Sequence, residues 1–204
     1  MTFLLTNDDG IDAPGLQSLF QAVKSLNRDE KIMIAAPKEC LSGCGHQVTT
    51  HRPIHVEKRS DFAYQIDGTP ADCIRLGLTH LFPNSQFILS GINAGANLGV
   101  DRYISGTVAA VREAAMFGIP AIAVSHWIKR PLTIDWDLAT KWTTLVLKEL
   151  LNRPHIPGTF WNVNLTHLQP ESQPKIVFCF PSNRPLPIEY KIDGNYFHYI
   201  GEYA

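Results

Sequence analysis

Met1-Thr-Phe-Leu-Leu-Thr-Asn-Asp-Asp-Gly-Ile-Asp-Ala-Pro-Gly15 opens the chain. Phe3-Leu4-Leu5 is a short apolar run with the character of a buried strand. It ends in Thr6-Asn7-Asp8-Asp9-Gly10, where Gly10 turns the backbone. Leu16, Leu19, Phe20 and Val23 then recur at helical spacing. Ligands of an open parallel sheet bind at the carboxyl ends of its strands. Two adjacent carboxylates there are costly to desolvate unless something positive neutralises them. The positive group expected is a divalent metal ion.

Outward from this stretch the pattern repeats. Lys31-Ile-Met-Ile-Ala-Ala-Pro37 reads as a second buried strand, stopped by Pro37. Val48 to Val56 and Phe62 to Ile66 suit an excursion of antiparallel strands. Thr69 as N-cap and Pro70 at the first helical position start a helix over roughly Ala71 to Leu81. Phe87-Ile-Leu89 is a third core strand and Gly118 to Ser125 a fourth. Helices are expected from Ser105 through Phe117 and from Trp136 to Leu151. This alternation up to Ser125 predicts an α/β fold with a doubly wound, mostly parallel sheet. From Pro154 the character changes. Phe160–Leu165, Lys175–Phe180, Ile188–Ile192 and Tyr196–Ile200 are short strand candidates between prolines and glycines. Two regions are therefore expected: a core over 1–153 with a β excursion near 48–67, and a β-rich C-terminal extension over 154–204. The chain stops a few residues after a predicted strand, which reads as an incomplete C-terminus.

The 204 residues are 45% hydrophobic, enough for a sizeable core, and carry a formal net charge of −1 without a basic stripe. That argues against a nucleic-acid polymer as partner. A small anion held by a metal and backbone N–H groups needs no net positive charge. The start lacks a basic region followed by a long apolar stretch, so no secretory leader is read. No apolar run approaches the roughly 20 residues that span a bilayer. Cys40, Cys44, Cys73 and Cys179 make no dense disulfide framework, and the expectation is a reduced cytoplasmic protein.

The chemistry rests on three strand-end loops. A carboxylate near a helix start is commonly a cap. One carboxylate fills that role, and two in a row after a buried strand exceed it. Oxygen donors suit hard cations such as Mg²⁺, Mn²⁺ or Ca²⁺. Two ligands do not complete a shell; the Ser42 hydroxyl and the Asn93 amide oxygen, each in a glycine-containing loop, are the further candidates. Ser105-Gly106-Thr107 opens a helix whose N–H groups and dipole form an anion site, with Asn97 as an added donor. Next to a metal this becomes a phosphate cradle. His46 on the second loop is a candidate proton donor or phosphate contact. Cys40, Cys44 and His46 suggest zinc by type, but three ligands without a partner cluster do not support it. A metal, an anion site and no evident nucleophilic serine or cysteine point to metal-assisted hydrolysis by an activated water. Asp8 or Asp9 would orient that water or move a proton.

Thr6-Asn-Asp-Asp-Gly-Ile-Asp-Ala-Pro-Gly-Leu16 resembles the N-terminal signature of the SurE family of nucleotidases. The resemblance continues in Ala36-Pro-Lys-Glu-Cys-Leu-Ser42-Gly43, Gly68-Thr-Pro-Ala-Asp-Cys73, Ser90-Gly-Ile-Asn-Ala-Gly-Ala-Asn97 and Ser105-Gly-Thr-Val-Ala-Ala110. The five blocks span about half the chain in order. The resemblance implies a Rossmann-like core with a β extension, and a homodimer or homotetramer. It implies a metal-dependent phosphomonoesterase (5′-nucleotidase) acting on nucleoside 5′- and 3′-monophosphates and on short polyphosphate, with Mg²⁺ or Mn²⁺. The metal ligands fall on Asp8, Asp9, Ser42 and Asn93. The phosphate-contacting loop falls on Ser105, Gly106 and Thr107, with Asn97 nearby; Gly43 and His46 of the second loop are candidate substrate contacts on their position alone. Leu41 departs from the pattern: family members often carry a basic residue just before the serine. Family chains also usually continue beyond this chain's end.

Other readings fit less well. A phosphotransfer receiver module also has acidic residues after its first strand, but needs an aspartate at the end of the third; this chain has Ser90 and Asn93. Aspartyl-phosphate phosphatases separate their two aspartates by one residue, whereas Asp8 and Asp9 are adjacent. A dinucleotide-binding module puts a glycine-rich turn where this chain puts carboxylates.

Overall fold

The computed structural model describes residues 1–26, 29–167 and 169–201. Its first half contains β1 (Thr2–Thr6), α1 (Pro14–Lys24), β2 (Lys31–Pro37), β3 (Val56–Ser60), β4 (Ala63–Ile66) and α2 (Pro70–Leu76), which continues into a π-helical turn over Gly77–Leu81. Then follow β5 (Phe87–Ala94), α3 (Asp101–Ile104), α4 (Gly106–Met116), β6 (Ala121–His126) and α5 (Trp136–Leu150). The last strands are β7 (Trp161–Leu165), β8 (Tyr190–Asp193) and β9 (Tyr196–Tyr199).

Seven strands form one sheet in the order β3-β4-β2-β1-β5-β6-β7, and only the β3–β4 pair is antiparallel. β1 is central and shows why the sheet is covered twice. Side chains alternate across a strand: Phe3 and Leu5 enter one cluster with Leu16, Leu19 and Val23 of α1 and Leu147 of α5. Leu4 enters the other with Ile74 of α2 and Val108, Val111 and Ala114 of α4. These inward side chains are wholly buried. The α/β class and the doubly wound, mostly parallel sheet are as expected. The connection through α1 places β2 on one side of β1, and the connection through α2 places β5 on the other. The order of strands therefore reverses at β1–β5, the switch point at whose carboxyl ends sheets of this kind bind ligands.

Several expected elements take a different form. Residues 48–55 are irregular rather than a strand. Thr49 gives its N–H and hydroxyl to Asp72 (3.0 and 2.7 Å), and Pro53 has no N–H to give, so two of the segment's donors are withheld from a ladder. The β3–β4 hairpin is the edge of the main sheet, because β4 pairs with β2. The strand expected near 160–165 as part of a C-terminal extension is β7, which pairs in parallel with β6 over Trp161–Leu165. Lys175–Phe180 is not a strand. It is held by side chains: Phe178 meets the Trp161 ring at 5.5 Å and the Arg153 guanidinium at 4.1 Å. β8 and β9 form a separate hairpin. Among the described residues no helix is long and apolar enough to cross a membrane.

Candidate active site

The turn after β1 is fastened from several sides. Asn7 Nδ2 donates to Gly10 O at 2.7 Å, and the Leu41 N–H donates to Asp8 O at 2.7 Å. The second bond draws the loop after β2 against the carboxylates. Gly10 has φ 104°, a left-handed conformation that side chains rarely adopt. Gly15 lets α1 begin hard against the end of β5: a Cβ there would lie 1.9 Å from Ile92 O.

Asp8 is buried, with 3% exposure. Its Oδ1 accepts from the Thr107 hydroxyl. Gly106 packs on the same carboxylate; a Cβ there would lie 2.8 Å from Asp8 Cβ and 3.0 Å from Cys44 Sγ. The start of α4 thus already receives one carboxylate. Burial raises the Asp8 carboxyl above its ordinary range; the Thr107 bond opposes this and the neighbouring Asp9 adds to it. Asp9 is half-buried. Its Oδ2 accepts from the Ala94 N–H at 3.3 Å, and its Oδ1 lies 4.0 Å from Cys40 Sγ. Its carboxyl is also raised, by burial, against the pull of the Ala94 N–H. Burial, with help from Asp8, pushes the Cys44 thiol up to about 11.

Ser42 is exposed, with Oγ 3.2 Å from Cys40 Sγ, the thiol that also neighbours Asp9. Gly43 makes its turn at φ 78°. Asn93 donates its amide N–H to Gly95 O at 2.7 Å, which leaves its Oδ1 as an oxygen donor. Asp8 and Asp9 thus follow the carboxyl end of β1, Asn93 lies at the end of β5 beside Ala94, which bonds Asp9, and Ser42 neighbours Asp9 by way of Cys40. Among the described residues no Lys, Arg or His side chain pairs with Asp8 or Asp9, and no group of three or more His, Cys, Asp or Glu is assembled for a metal. A pair of largely desolvated carboxylates with neutral oxygen donors and no protein cation fits a hard divalent ion.

The remaining candidates sit differently. Ser105 caps α4, accepting from the Val108 N–H at 3.1 Å. Thr107 spends its hydroxyl on Asp8. The Asn97 side chain turns inward: Nδ2 donates to Ser125 Oγ at 2.8 Å, while its backbone bonds Asn162 and Asn164 of β7. His46 lies against α4, with Nε2 2.7 Å from Glu113 Oε2. The residues that sequence reasoning missed are Glu113, Asn162 and Asn164. Glu113 did leave a signal, being an acid in a run of small apolar residues, Gly106-Thr-Val-Ala-Ala-Val-Arg-Glu-Ala-Ala115. The two asparagines gave none until β7 was known to lie beside β6.

A family model described as survival protein SurE matches residues 3–185. The chain belongs to the SurE family. A relative from Nostoc sp., described as a putative 5′-nucleotidase, is 61% identical over 205 residues, covering 100% of this chain and 89% of its own. The protein described as 5′-nucleotidase SurE from Paramagnetospirillum magneticum is 40% identical over 166 residues, covering 80% of this chain and 63% of its own. The crystal structure of the SurE protein from Aquifex aeolicus matches with TM-score 0.85 and 34% identity, over 99% of this chain and 83% of that one.

Proposed function

We propose that this SurE chain is a metal-dependent phosphomonoesterase that hydrolyses nucleoside 5′-monophosphates to nucleoside and phosphate. One observation carries the mechanism: two carboxylates, one of them buried, stand at the switch point of the sheet with no Lys, Arg or His paired to them among the described residues. Asp8, Asp9, Ser42 and Asn93 would hold one divalent ion, Mg²⁺ or Mn²⁺. When bound, the ion supplies Lewis acidity, offsetting charge on the phosphoryl oxygens and acidifying water. Thr107 and Gly106 fix Asp8 as a ligand. Asp9 is the more open of the two and its strongest hydrogen bond is a 3.3 Å contact, so it orients the attacking water and accepts its proton. The phosphoryl group sits between the Ser42–Gly43 turn and the start of α4. Nucleoside 3′-monophosphates and short polyphosphate are further substrates of the same site.

The catalytic unit is the seven-stranded sheet with its helices, and the segment after it serves assembly into a homodimer or homotetramer. Two exposed residues on the β8–β9 hairpin, Ile192 and Phe197, each 64% exposed, support that reading. The four cysteines are free, in keeping with a reducing cytoplasm.

The test is phosphate release from AMP, GMP and their 3′ isomers with Mn²⁺ or Mg²⁺. Turnover that requires the metal and stops in excess chelator is expected. No release with any metal, or release untouched by chelator, overturns the reading.

A further inference from the structure

We infer that His46 and Glu113 are positioning residues, a pair that locks the Ser42-bearing loop onto α4 and thereby sets the metal site. The inference rests on the functional reading above. His46 follows Ser42 and Gly43 on the same loop. Its two ring nitrogens are both engaged: Nε2 lies 2.7 Å from Glu113 Oε2 and Nδ1 lies 3.3 Å from Arg112 Nη1. A guanidinium only donates. Nδ1 therefore accepts and Nε2–H donates to the carboxylate, which specifies the neutral ring with its proton on Nε2. Neither nitrogen is left for a substrate oxygen, so the proton-donor role expected for His46 has no free atom to perform it.

Glu113 is 3% exposed. A carboxylate so buried is costly unless its oxygens are used, and both are. Oε2 takes His46, and Oε1 accepts from Arg75 Nε of α2 at 2.7 Å. Arg112 donates to Arg102 O at 2.6 Å, tying in the segment just ahead of α4. One carboxylate thus joins the loop, α2 and α4. The Gly45 N–H donates to Ile104 O at 2.9 Å beside the start of α4, so the loop is pinned at two successive residues. At its other end Leu41 is tied to Asp8 O. Ser42 and Gly43 lie between these ties and take their place from them. Without His46–Glu113 the loop keeps its backbone ties at Leu41 and Gly45 but loses its side-chain tie to α4, and Ser42 shifts relative to Asp8 and Asp9.

The test uses the whole chain. Mn²⁺ affinity is measured by calorimetry without substrate, and kcat and KM with AMP, for wild type, His46→Ala, His46→Gln and Glu113→Ala. Loss of the pair weakens Mn²⁺ binding about 10-fold in the alanine variants, the lower end of the cost of removing a direct partner of a metal ligand, because the pair acts through the loop. His46→Gln, whose amide N–H still reaches the carboxylate but cannot transfer a proton, restores most of the affinity and turnover. If His46→Ala does not fold, His46→Asn, too short for Glu113, carries the comparison. Wild-type Mn²⁺ affinity in the variants that lack the contact, with only the melting temperature lowered, overturns the inference and leaves the functional reading standing. A dead His46→Gln that binds Mn²⁺ as wild type assigns His46 a chemical role and also overturns it. A wild type that binds no Mn²⁺ overturns the functional reading and this inference with it.

Discussion

Asp8 and Asp9 are adjacent yet differently placed, and their variants should separate. Asp9→Asn keeps the volume and removes the proton acceptor; kcat for AMP should fall by about 100-fold or more with the circular dichroism spectrum unchanged. Undiminished turnover would take Asp9 out of the chemistry. Asp8→Asn should behave in two opposite ways. Burial raises the Asp8 carboxyl above 3.8, so folding favours its protonated form. Its contribution to stability is complete below 3.8 and is lost as pH rises through the folded value. In chelator, the melting temperature of the wild type relative to Asp8→Asn should therefore decline as pH is raised from 3.8 upward. At neutral pH the metal-free variant should be at least as stable as the wild type. Added Mn²⁺ should raise the melting temperature of the wild type by mass action and leave Asp8→Asn unmoved. A variant less stable than wild type in chelator at neutral pH would contradict the cost assigned to the buried carboxylate.

At the scale of elements, the site depends on close approaches that glycine permits. α1 starts against β5 because Gly15 has no side chain; in Gly15→Ala the new atom would meet the backbone of Ile92 at 1.9 Å. Backbone cannot swing aside as a side chain can. The cost should be about 3 kcal/mol or more, a fall of roughly 6–12 °C in melting temperature for a chain of this size. A shift under a few degrees would show that α1 and the end of β5 are free to slide. The element boundaries that sequence reading did locate share a cause. Thr69, Ser105 and Asp135 cap the helices that follow them through their own side chains, and a cap acts within three residues. The failures share one too. Residues 48–55 carry β-branched residues, but Thr49 bonds Asp72 and Arg52 and His55 bond Asp67, partners distant in the chain.

For the whole molecule, the β8–β9 hairpin presents an assembly prediction. Analytical ultracentrifugation should find a dimer or larger species, and Phe197→Ser with Ile192→Ser should shift it toward monomer without unfolding the sheet. A monomeric wild type at micromolar concentration would remove that role from the hairpin. The sequence by itself determined the doubly wound sheet and the strand-end placement of Asp8, Asp9, Ser42 and Asn93. Both follow from alternation of apolar strands with helical periodicity, which is local and repeats down the chain. Tertiary structure alone decided the rest. It put β7 beside β6, where Asn162 and Asn164 hold Asn97 by its backbone. It turned the Thr107 hydroxyl toward Asp8 and the His46 ring toward Glu113, partners that no local pattern announces. Hydrogen-bonding side chains take whichever partner the fold brings within reach. For the Thr107 hydroxyl at the start of α4 and the His46 imidazole on the loop beside it, that partner was a buried carboxylate distant in the chain, Asp8 and Glu113 respectively.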